Sequence, residues 1–364
     1  MYSVRTMLQQ SALLAEDIEK LIGPLAIRAG EALEAVCCDD LRRVVLVGSG
    51  DSHHAGRAAE LAFERLADIS CQALSTQQFL DYGMLAPARE SRATLVVAVS
   101  ASGSSPRLLT AVRHARTHGF PTVAVTGRSD SAIVSVAGRH VAAELGLTER
   151  CPGIRTYQAS LLALLLLAVR LSALRRALPG QPVAAEESLV AEIAATADAV
   201  RASHADADEP CRELAARLSE GGWPWIPLVI AGTGPGRGTA MYTAAKVVEA
   251  AGLPAYAQDV EEYWHIERFL DPADAPLVVV APSGLGHPRA VELARAAAGR
   301  GRRVVAVTGQ DETTLTRAAW HTVPVAPTAR EEWSPLAGHV FAGLLGARLA
   351  ERLGRTPFSG GGPP

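Results

Sequence analysis

The chain has 364 residues, of which 48% are hydrophobic and 20% are charged, and its formal net charge is −3. This composition excludes a wholly disordered chain, and the length favours two domains. The small negative charge excludes the concentrated positive field that attracts nucleic acid or an anionic membrane, so neither partner is expected. The five cysteines show no CxxC or Cys/His ligand spacing. A reduced, cytoplasmic protein without a metal site is therefore expected.

Short apolar runs alternate with helical patterns along the first half. The predicted helices before and within this half lie at residues 6–22, 24–36, 52–67 and 106–118. The predicted strands lie near residues 44–48, 95–99, 123–127 and 140–143. The central runs are apolar without alternation, which is typical of parallel strands covered on both faces.

The second half repeats the first in the same order. Residues 44–50 (VVLVGSG) are echoed by residues 228–234 (LVIAGTG), and residues 95–99 (LVVAV) by residues 277–281 (LVVVA). The run VAVTG at 123–127 recurs at 305–309. An edge strand is expected near 322–325, and helices are expected at 239–251 and 288–300. Strand–helix alternation of this kind predicts two α/β domains, each with a flavodoxin-like, doubly wound parallel sheet.

Helices are expected between the two sheets, at 157–178 and 184–203. The apolar run at 159–171 is too short for a membrane span, which needs about 20 residues, and predicts a buried helix. Pro179, Gly180 and Pro182 interrupt the helical pattern. We therefore expect a first domain over 1–180, a second over 181–358 and a flexible tail over 359–364.

Polar loops follow the first two predicted strands of the first half. Ligands of open parallel sheets bind beyond the carboxyl ends of the strands, where the strand order reverses. The loop at 100–105 places serines around Gly103 at the entrance to a helix, and the loop at 48–54 contributes Ser52. Hydroxyls and free N–H groups there suit a phosphate, although a single serine is more often a helix cap. The equivalent loop at 281–286 has one serine and a proline, so phosphate is expected in the first half only.

These loops resemble those of the sugar isomerase (SIS) domain family. The resemblance is closest to its tandem members, the isomerase part of glucosamine-6-phosphate synthases and the fructosamine-6-phosphate deglycases, and it covers almost the whole chain. It implies that Ser52, Ser100, Ser102 and Ser105 bind the phosphate of a sugar phosphate. Asp51 departs from the family's threonine or glycine, and an anion beside a phosphate is unfavourable.

The second half carries a Lys-x-x-Glu helix and a histidine sixteen residues later: Lys246, Glu249 and His265. Lys246 and Glu249 share a helix face. The family resemblance implies that the glutamate moves a proton between C1 and C2, the histidine opens the sugar ring and the lysine supports the enediolate. The residue types suit this chemistry, because a carboxylate, an imidazole and a nearby cation are what proton transfer beside a carbonyl requires. Alternatively, the pair is a solvated helix pair and the histidine an ordinary polar residue.

Two departures from the synthase narrow the expected reaction. Residue 2 is tyrosine and the SIS region begins almost at once, so no glutamine-hydrolysing domain is expected. The C-terminal lysine of the synthase has no counterpart in residues 354–359. Plain aldose–ketose isomerisation of a sugar phosphate, or amine release from an amino-sugar phosphate, is therefore expected, without metal or organic cofactor.

Other functions stay open on the sequence. One alternative is a phosphoglucose/phosphomannose-type isomerase, and another is a phosphosugar-binding regulator without turnover. The resemblance implies a homodimer in which His265 acts in its own or in the neighbouring chain. The whole interpretation requires Glu249 and the serine loop to act on one substrate molecule.

Overall fold

The computed structural model describes residues 2–34, 36–83, 88–146, 149–176, 184–220 and 226–359. The chain forms two compact units. The first-sheet unit comprises Glu16–Leu147 and Arg155–Ala195, and the second-sheet unit comprises Met1–Ala15, Thr148–Ile154 and Thr196–Pro364. The predicted boundary at 180/181 lies outside the described residues, as does the tail after residue 359, so the division into 1–180 and 181–358 stays a prediction.

Ten strands form two sheets. They are β1 Arg43–Gly48, β2 Ser70–Ser75, β3 Thr94–Ser100, β4 Thr122–Thr126, β5 His140–Ala142, β6 Leu228–Ala231, β7 Ala255–Gln258, β8 Pro276–Val280, β9 Arg303–Thr308 and β10 His321–Pro324. The first sheet has the order β2-β1-β3-β4-β5 and the second β7-β6-β8-β9-β10. Every pair of neighbours is parallel. The predicted class, two flavodoxin-like parallel sheets flanked by helices, is confirmed.

Fifteen helices lie in the described ranges of the chain. They are α1 Val4–Ala12, α2 Leu14–Leu33, α3 Asp51–Ala67, α4 Thr76–Gln78, α5 Ala88–Ser91, α6 Pro106–Thr117, α7 Ala132–Ala137, α8 Arg155–Arg176, α9 Ala184–Ser219, α10 Pro235–Ala251, α11 Val260–His265, α12 His287–Gly299, α13 Thr313–Ala318, α14 Ser334–Gly338 and α15 Val340–Arg352. Helices α3, α6, α10 and α12 each connect two strands of one parallel sheet, as α/β units require.

The sequence missed two strands, β2 and β7. Both lie at a sheet edge. The residues of β2 alternate between exposed and buried at its start, and those of β7 are all half-buried. A strand covered on fewer sides needs fewer apolar residues, so its sequence lacks the continuous apolar run that marks the central strands.

The prediction of a helix break at Pro24 was wrong. Pro24 lies inside α2. The helical region is interrupted instead at Leu13, between the end of α1 at Ala12 and the start of α2 at Leu14. The buried positions of α2 continue at helical spacing across the proline: Leu14, Ile18, Leu21, Leu25, Ala29 and Ala32. Burial of this continuous face outweighs the one hydrogen bond that a proline removes from a helix.

The most apolar helix is a core element. Residues 155–175 of α8 are long and apolar enough to cross a membrane by composition, but 83% of an apolar 18-residue stretch within them is buried inside the protein. The predicted buried helix is therefore confirmed. Its burial on all sides explains its weak amphipathicity.

Candidate functional site

The strand order reverses between β1 and β3 in the first sheet. Val47 of β1 pairs with Ala98 of β3, so the two strands end side by side. The loops that follow them, 48–51 and 100–105, therefore leave neighbouring strand ends at the point where open α/β sheets bind ligands. The two polar loops singled out by sequence are thus brought to one edge of this sheet.

Two glycines shape the turn after β1. A Cβ atom on Gly48 would lie 2.9 Å from the Cβ of Ser52, so only glycine lets the first turn of α3 come this close. Gly50 has φ 54° and ψ −130°, a conformation essentially restricted to glycine. The turn leads directly into α3, whose second residue, Ser52, is half-buried.

The loop after β3 is held in place by Gly103. Its φ is 63°, and a Cβ atom there would lie 2.1 Å from the Oγ of Ser131. The Gly103 N–H donates to the Oγ of Ser100 at 3.1 Å, and its carbonyl accepts from the N–H of Ile133 at 3.0 Å. Ser100, 7% exposed, thus supports the loop from below.

The other serines of this loop face outward. Ser102 and Ser104 are exposed and their hydroxyl oxygens lie 3.2 Å apart. Ser105 occupies the N-cap position of α6, yet its side chain makes no capping hydrogen bond. The helix-cap alternative therefore does not describe Ser105. Hydroxyls and a helix N-terminus at a switch point can accept an anion.

The residues next to Ser52 form a partly buried polar group. Burial, and then the charge of His54, lower the pKa of His53 to about 4, so this imidazole is neutral at pH 7. Asp51 Oδ1 lies 3.7 Å from His54 Nδ1. Burial, followed by the charge of Asp51, raises the pKa of Tyr157 well above its ordinary value.

Lys246 and Glu249 form an ion pair on α10. The side chain of Lys246 is completely buried, that of Glu249 is 30% exposed, and Nζ lies 2.5 Å from Oε2. The predicted sharing of one helix face is thus a direct contact. The carboxylate of the pair is partly accessible to solvent, and the ammonium group that it contacts is enclosed.

Tyr242 also contacts the buried ammonium group of Lys246. The Nζ atom of Lys246 lies 5.0 Å from the centre of the Tyr242 ring, within cation–π range. The Tyr242 hydroxyl donates to the carbonyl of Gly153 at 2.8 Å. Sequence reasoning missed Tyr242, although its position one turn before Lys246 was a usable signal.

Close packing of α15 against α10 explains the burial of Lys246. A Cβ atom on Gly346 of α15 would lie 2.8 Å from the carbonyl oxygen of Lys246. A glycine at this position therefore allows the two backbones to approach closely. The N–H of Phe358, beyond α15, donates to the carbonyl of Glu249 at 2.8 Å.

His265 is the last residue of α11, and its side chain is 62% exposed. Its Nε2 lies 3.1 Å from Oε1 of Glu261. A hydrogen bond from Arg289 holds the pKa of Glu261 below its usual value. In the structure, Lys246 therefore contacts Glu249, and His265 contacts Glu261. Across the described ranges, no group of three or more His, Cys, Asp or Glu side chains is arranged to hold a metal ion.

Comparison with known proteins agrees with the sheet topology. Residues 40–170 match the SIS domain family. The chain is 25% identical over 352 residues to a glutamine–fructose-6-phosphate aminotransferase (isomerizing) of Gloeobacter violaceus, covering 95% of this chain and 55% of the relative. The chain spans about half the length of the curated relatives it matches.

Solved structures show the same fold. The C-terminal domain of glucosamine-fructose-6-phosphate aminotransferase from Francisella tularensis superposes with a TM-score of 0.81 at 16% identity, covering 97% of each chain. Tagatose-6-phosphate ketose/aldose isomerase from Escherichia coli superposes with a TM-score of 0.71 at 16% identity, covering 97% of this chain and 95% of that one.

The SIS match, the two parallel five-stranded sheets and the similarity over nearly the whole length lead to one conclusion. Residues 40–170 match the SIS domain family, and across both sheets the chain resembles the glutamine–fructose-6-phosphate aminotransferases.

Proposed function

We propose that the chain is an enzyme that converts sugar phosphates through an enediol or enolamine intermediate. Its reaction is aldose–ketose isomerisation, or isomerisation of an amino-sugar phosphate to a ketose imine, which water hydrolyses to the ketose phosphate and ammonia. Ser52, Ser100, Ser102 and Ser105 form the phosphate-binding loops, with Ser100 supporting the loop that presents the other hydroxyls. The proposed reaction needs no metal or organic cofactor.

The Lys246–Glu249 pair is the observation that carries this proposal. A solvated helix pair has both side chains in water, whereas this ammonium is completely buried. Burying a charge is costly unless it is paired, so a lysine is seldom kept in a core for stability alone. A partly accessible carboxylate held against a fixed cation suits proton transfer beside a carbonyl.

Three residues carry out the proposed mechanism: His265, Glu249 and Lys246. His265 transfers a proton from the anomeric hydroxyl to the ring oxygen, which opens the sugar ring. Glu249 then removes the proton from C2 of the aldose, and the C–H electron pair forms the C1–C2 double bond of the enediol as the C1 oxygen gains a proton. Glu249 returns the proton to C1 while the C2 hydroxyl loses its own and becomes the ketose carbonyl. Lys246 stabilises negative charge that develops on oxygen.

The activities named for similar proteins support this substrate class. The matched curated relative is named as an isomerizing aminotransferase of fructose 6-phosphate, and one superposed structure as a ketose/aldose isomerase. A phosphoglucose- or phosphomannose-type isomerase uses the same step on other hexose phosphates. A regulator without turnover would also bind the phosphosugar. Binding alone does not account for the buried ammonium group of Lys246 beside Glu249.

The test compares Glu249→Gln with the wild type and with Asp198→Asn, an exposed carboxylate changed in the same way. A thermal-shift panel of hexose and amino-hexose 6-phosphates first identifies the ligand. We then expect deuterium exchange at C2 of that ligand in wild type and Asp198→Asn, and at least a 100-fold slower rate in Glu249→Gln with unchanged affinity. Ligand binding with no exchange in the wild type would favour the regulator.

Assembly is tested separately. We propose a homodimer, and sedimentation equilibrium of the wild-type chain should give twice the mass of one chain. A monomeric chain that still catalyses exchange would rule out a neighbouring chain as the source of His265.

A further inference from the structure

The second sheet has a turn with the same backbone geometry as the phosphate-side turn of the first. Gly234 has φ 53° and ψ −133°, against 54° and −130° for Gly50. A Cβ atom on Gly232 would lie 2.4 Å from the carbonyl oxygen of Gly236, just as one on Gly48 would collide with Ser52. The second sheet thus keeps the backbone of a ligand-binding turn at its own switch point, between β6 and β8.

The loop after β8 corresponds to the serine loop after β3. Pro106 and Pro288 both lie in the first turn of the helix that follows the loop. Counting back from them makes Gly284 the counterpart of Ser102 and Leu285 that of Gly103. The second loop therefore has no side chain where the first presents an exposed hydroxyl.

The space of that missing side chain is occupied by Glu331. A Cβ atom on Gly284 would lie 2.1 Å from Cδ of Glu331, and the Leu285 N–H donates to Oε2 at 3.0 Å. A Cβ atom on Gly234 would lie 3.9 Å from Oε1. The carboxylate therefore reaches both loops of this switch point, where an incoming anion would have to bind.

We propose that Glu331 is a built-in anion that fills the second sheet's counterpart of the phosphate-binding loop, leaving one phosphosugar site per chain. This inference rests on the proposed function, because the serine loop is assigned to phosphate there. The carboxylate takes the backbone N–H that a phosphate oxygen would use, and its negative charge repels a second anion.

Two cavities lie beside the loop after β8, and neither has Glu331 in its lining. One of about 40 Å³ is lined by residues that include Ser283 and Thr308. The other, of about 430 Å³, has three carboxylates in its lining: Asp206, Asp311 and Glu312. These negative charges also disfavour a second phosphate at this edge of the second sheet.

The test removes the carboxylate and counts bound anions. Inorganic phosphate and acetate are titrated by isothermal calorimetry into the full-length wild type, Glu331→Gly and the size-matched Glu331→Gln. We expect one phosphate per chain in the wild type and Glu331→Gln, and two in Glu331→Gly. Acetate should raise the melting temperature of Glu331→Gly and leave that of the wild type unchanged, because it replaces the missing group.

A second substitution separates this inference from the proposed function. Adding Ser102→Ala to Glu331→Gly should weaken the first phosphate and leave the second unchanged. A wild type that binds no phosphate would overturn the proposed function, while acetate binding by Glu331→Gly would still support the built-in anion. One phosphate and no acetate effect in a folded Glu331→Gly would overturn the inference.

Gly284→Ala covers the case in which Glu331→Gly does not fold. Its methyl group would collide with the Glu331 carboxyl and expel it. Acetate or phosphate should then bind no better than to the wild type, because the new methyl fills the space. Tighter anion binding by Gly284→Ala would contradict the proposed position of the filled site.

Discussion

Removing either partner of the Lys246–Glu249 pair should change stability unequally. Glu249→Ala leaves a completely buried ammonium without its carboxylate, whereas Lys246→Met leaves a carboxylate that is 30% exposed and can be hydrated. Breaking a buried ion pair by removing one partner costs about 3–5 kcal/mol. The partial exposure of Glu249 reduces this, so we expect about 2–3 kcal/mol for Glu249→Ala.

Lys246→Met should cost no more than about 1 kcal/mol. Methionine fills nearly the same volume, contacts the Tyr242 ring and removes the need to bury a charge. The loss of the cation–π contact, about 2 kcal/mol when desolvated, opposes this gain. The double variant Lys246→Met with Glu249→Ala should be more stable than Glu249→Ala alone.

Urea unfolding followed by tryptophan fluorescence measures these differences, provided that the slope against denaturant is unchanged. Both single variants should lose C2 exchange, so activity and stability separate the two roles. A Lys246→Met variant less stable than Glu249→Ala would refute the reasoning, because the lysine would then stabilise the core by itself.

Three further predictions concern the first-sheet unit. His53 has a pKa of about 4 against 6.5 in the unfolded chain, so the unfolded state binds the proton first and stability falls below pH 6.5. Lowering the pH from 8 to 5 should cost about 2 kcal/mol through this residue, and His53→Gln should lose correspondingly less in parallel urea titrations. Gly50→Ala should cost about 1–3 kcal/mol by calorimetry because its φ is 54°. The helical Gly23→Ala, with no neighbour within 4 Å of the added atom, should be neutral or slightly stabilising; equal effects would contradict the strain argument. Asp17 and Arg155 form a buried, bidentate ion pair, in which Nε of Arg155 lies 2.6 Å from Oδ2 of Asp17. Asp17→Asn should destabilise by about 3 kcal/mol or more in the same assay, and a loss below 1 kcal/mol would show that the pair is hydrated.

Local patterns predicted the central strands, because a strand covered by helices on both faces must be apolar along its whole length. The same argument predicted that the two polar loops lie at strand ends and that the second half of the chain repeats the sheet of the first. It failed at β2 and β7, because an edge strand need not be apolar along its whole length. A separate prediction failed at Pro24, where α2 continues past the proline because its buried face is continuous.

Some features of the candidate site were predictable from local sequence, and others depend on the tertiary structure. The spacing of Lys246 and Glu249 predicted their contact, since helix geometry alone sets which residues three apart can meet. The separate positions of Ser100 and Ser102, one below the loop and one exposed on it, depend on Gly103 and on its packing against Ser131. The position of His265 beside Glu261 likewise depends on where α11 ends.

The sequence by itself determined the duplicated α/β architecture, the serine loop and the Lys-x-x-Glu pair, because periodicity and short spacing act within one strand or helix. Only the tertiary structure decided that Lys246 is completely buried and that Glu331 reaches a loop 46 residues earlier in the chain. Contacts of that range are set by how packed elements exclude water and fill space, and a local pattern contains no record of them.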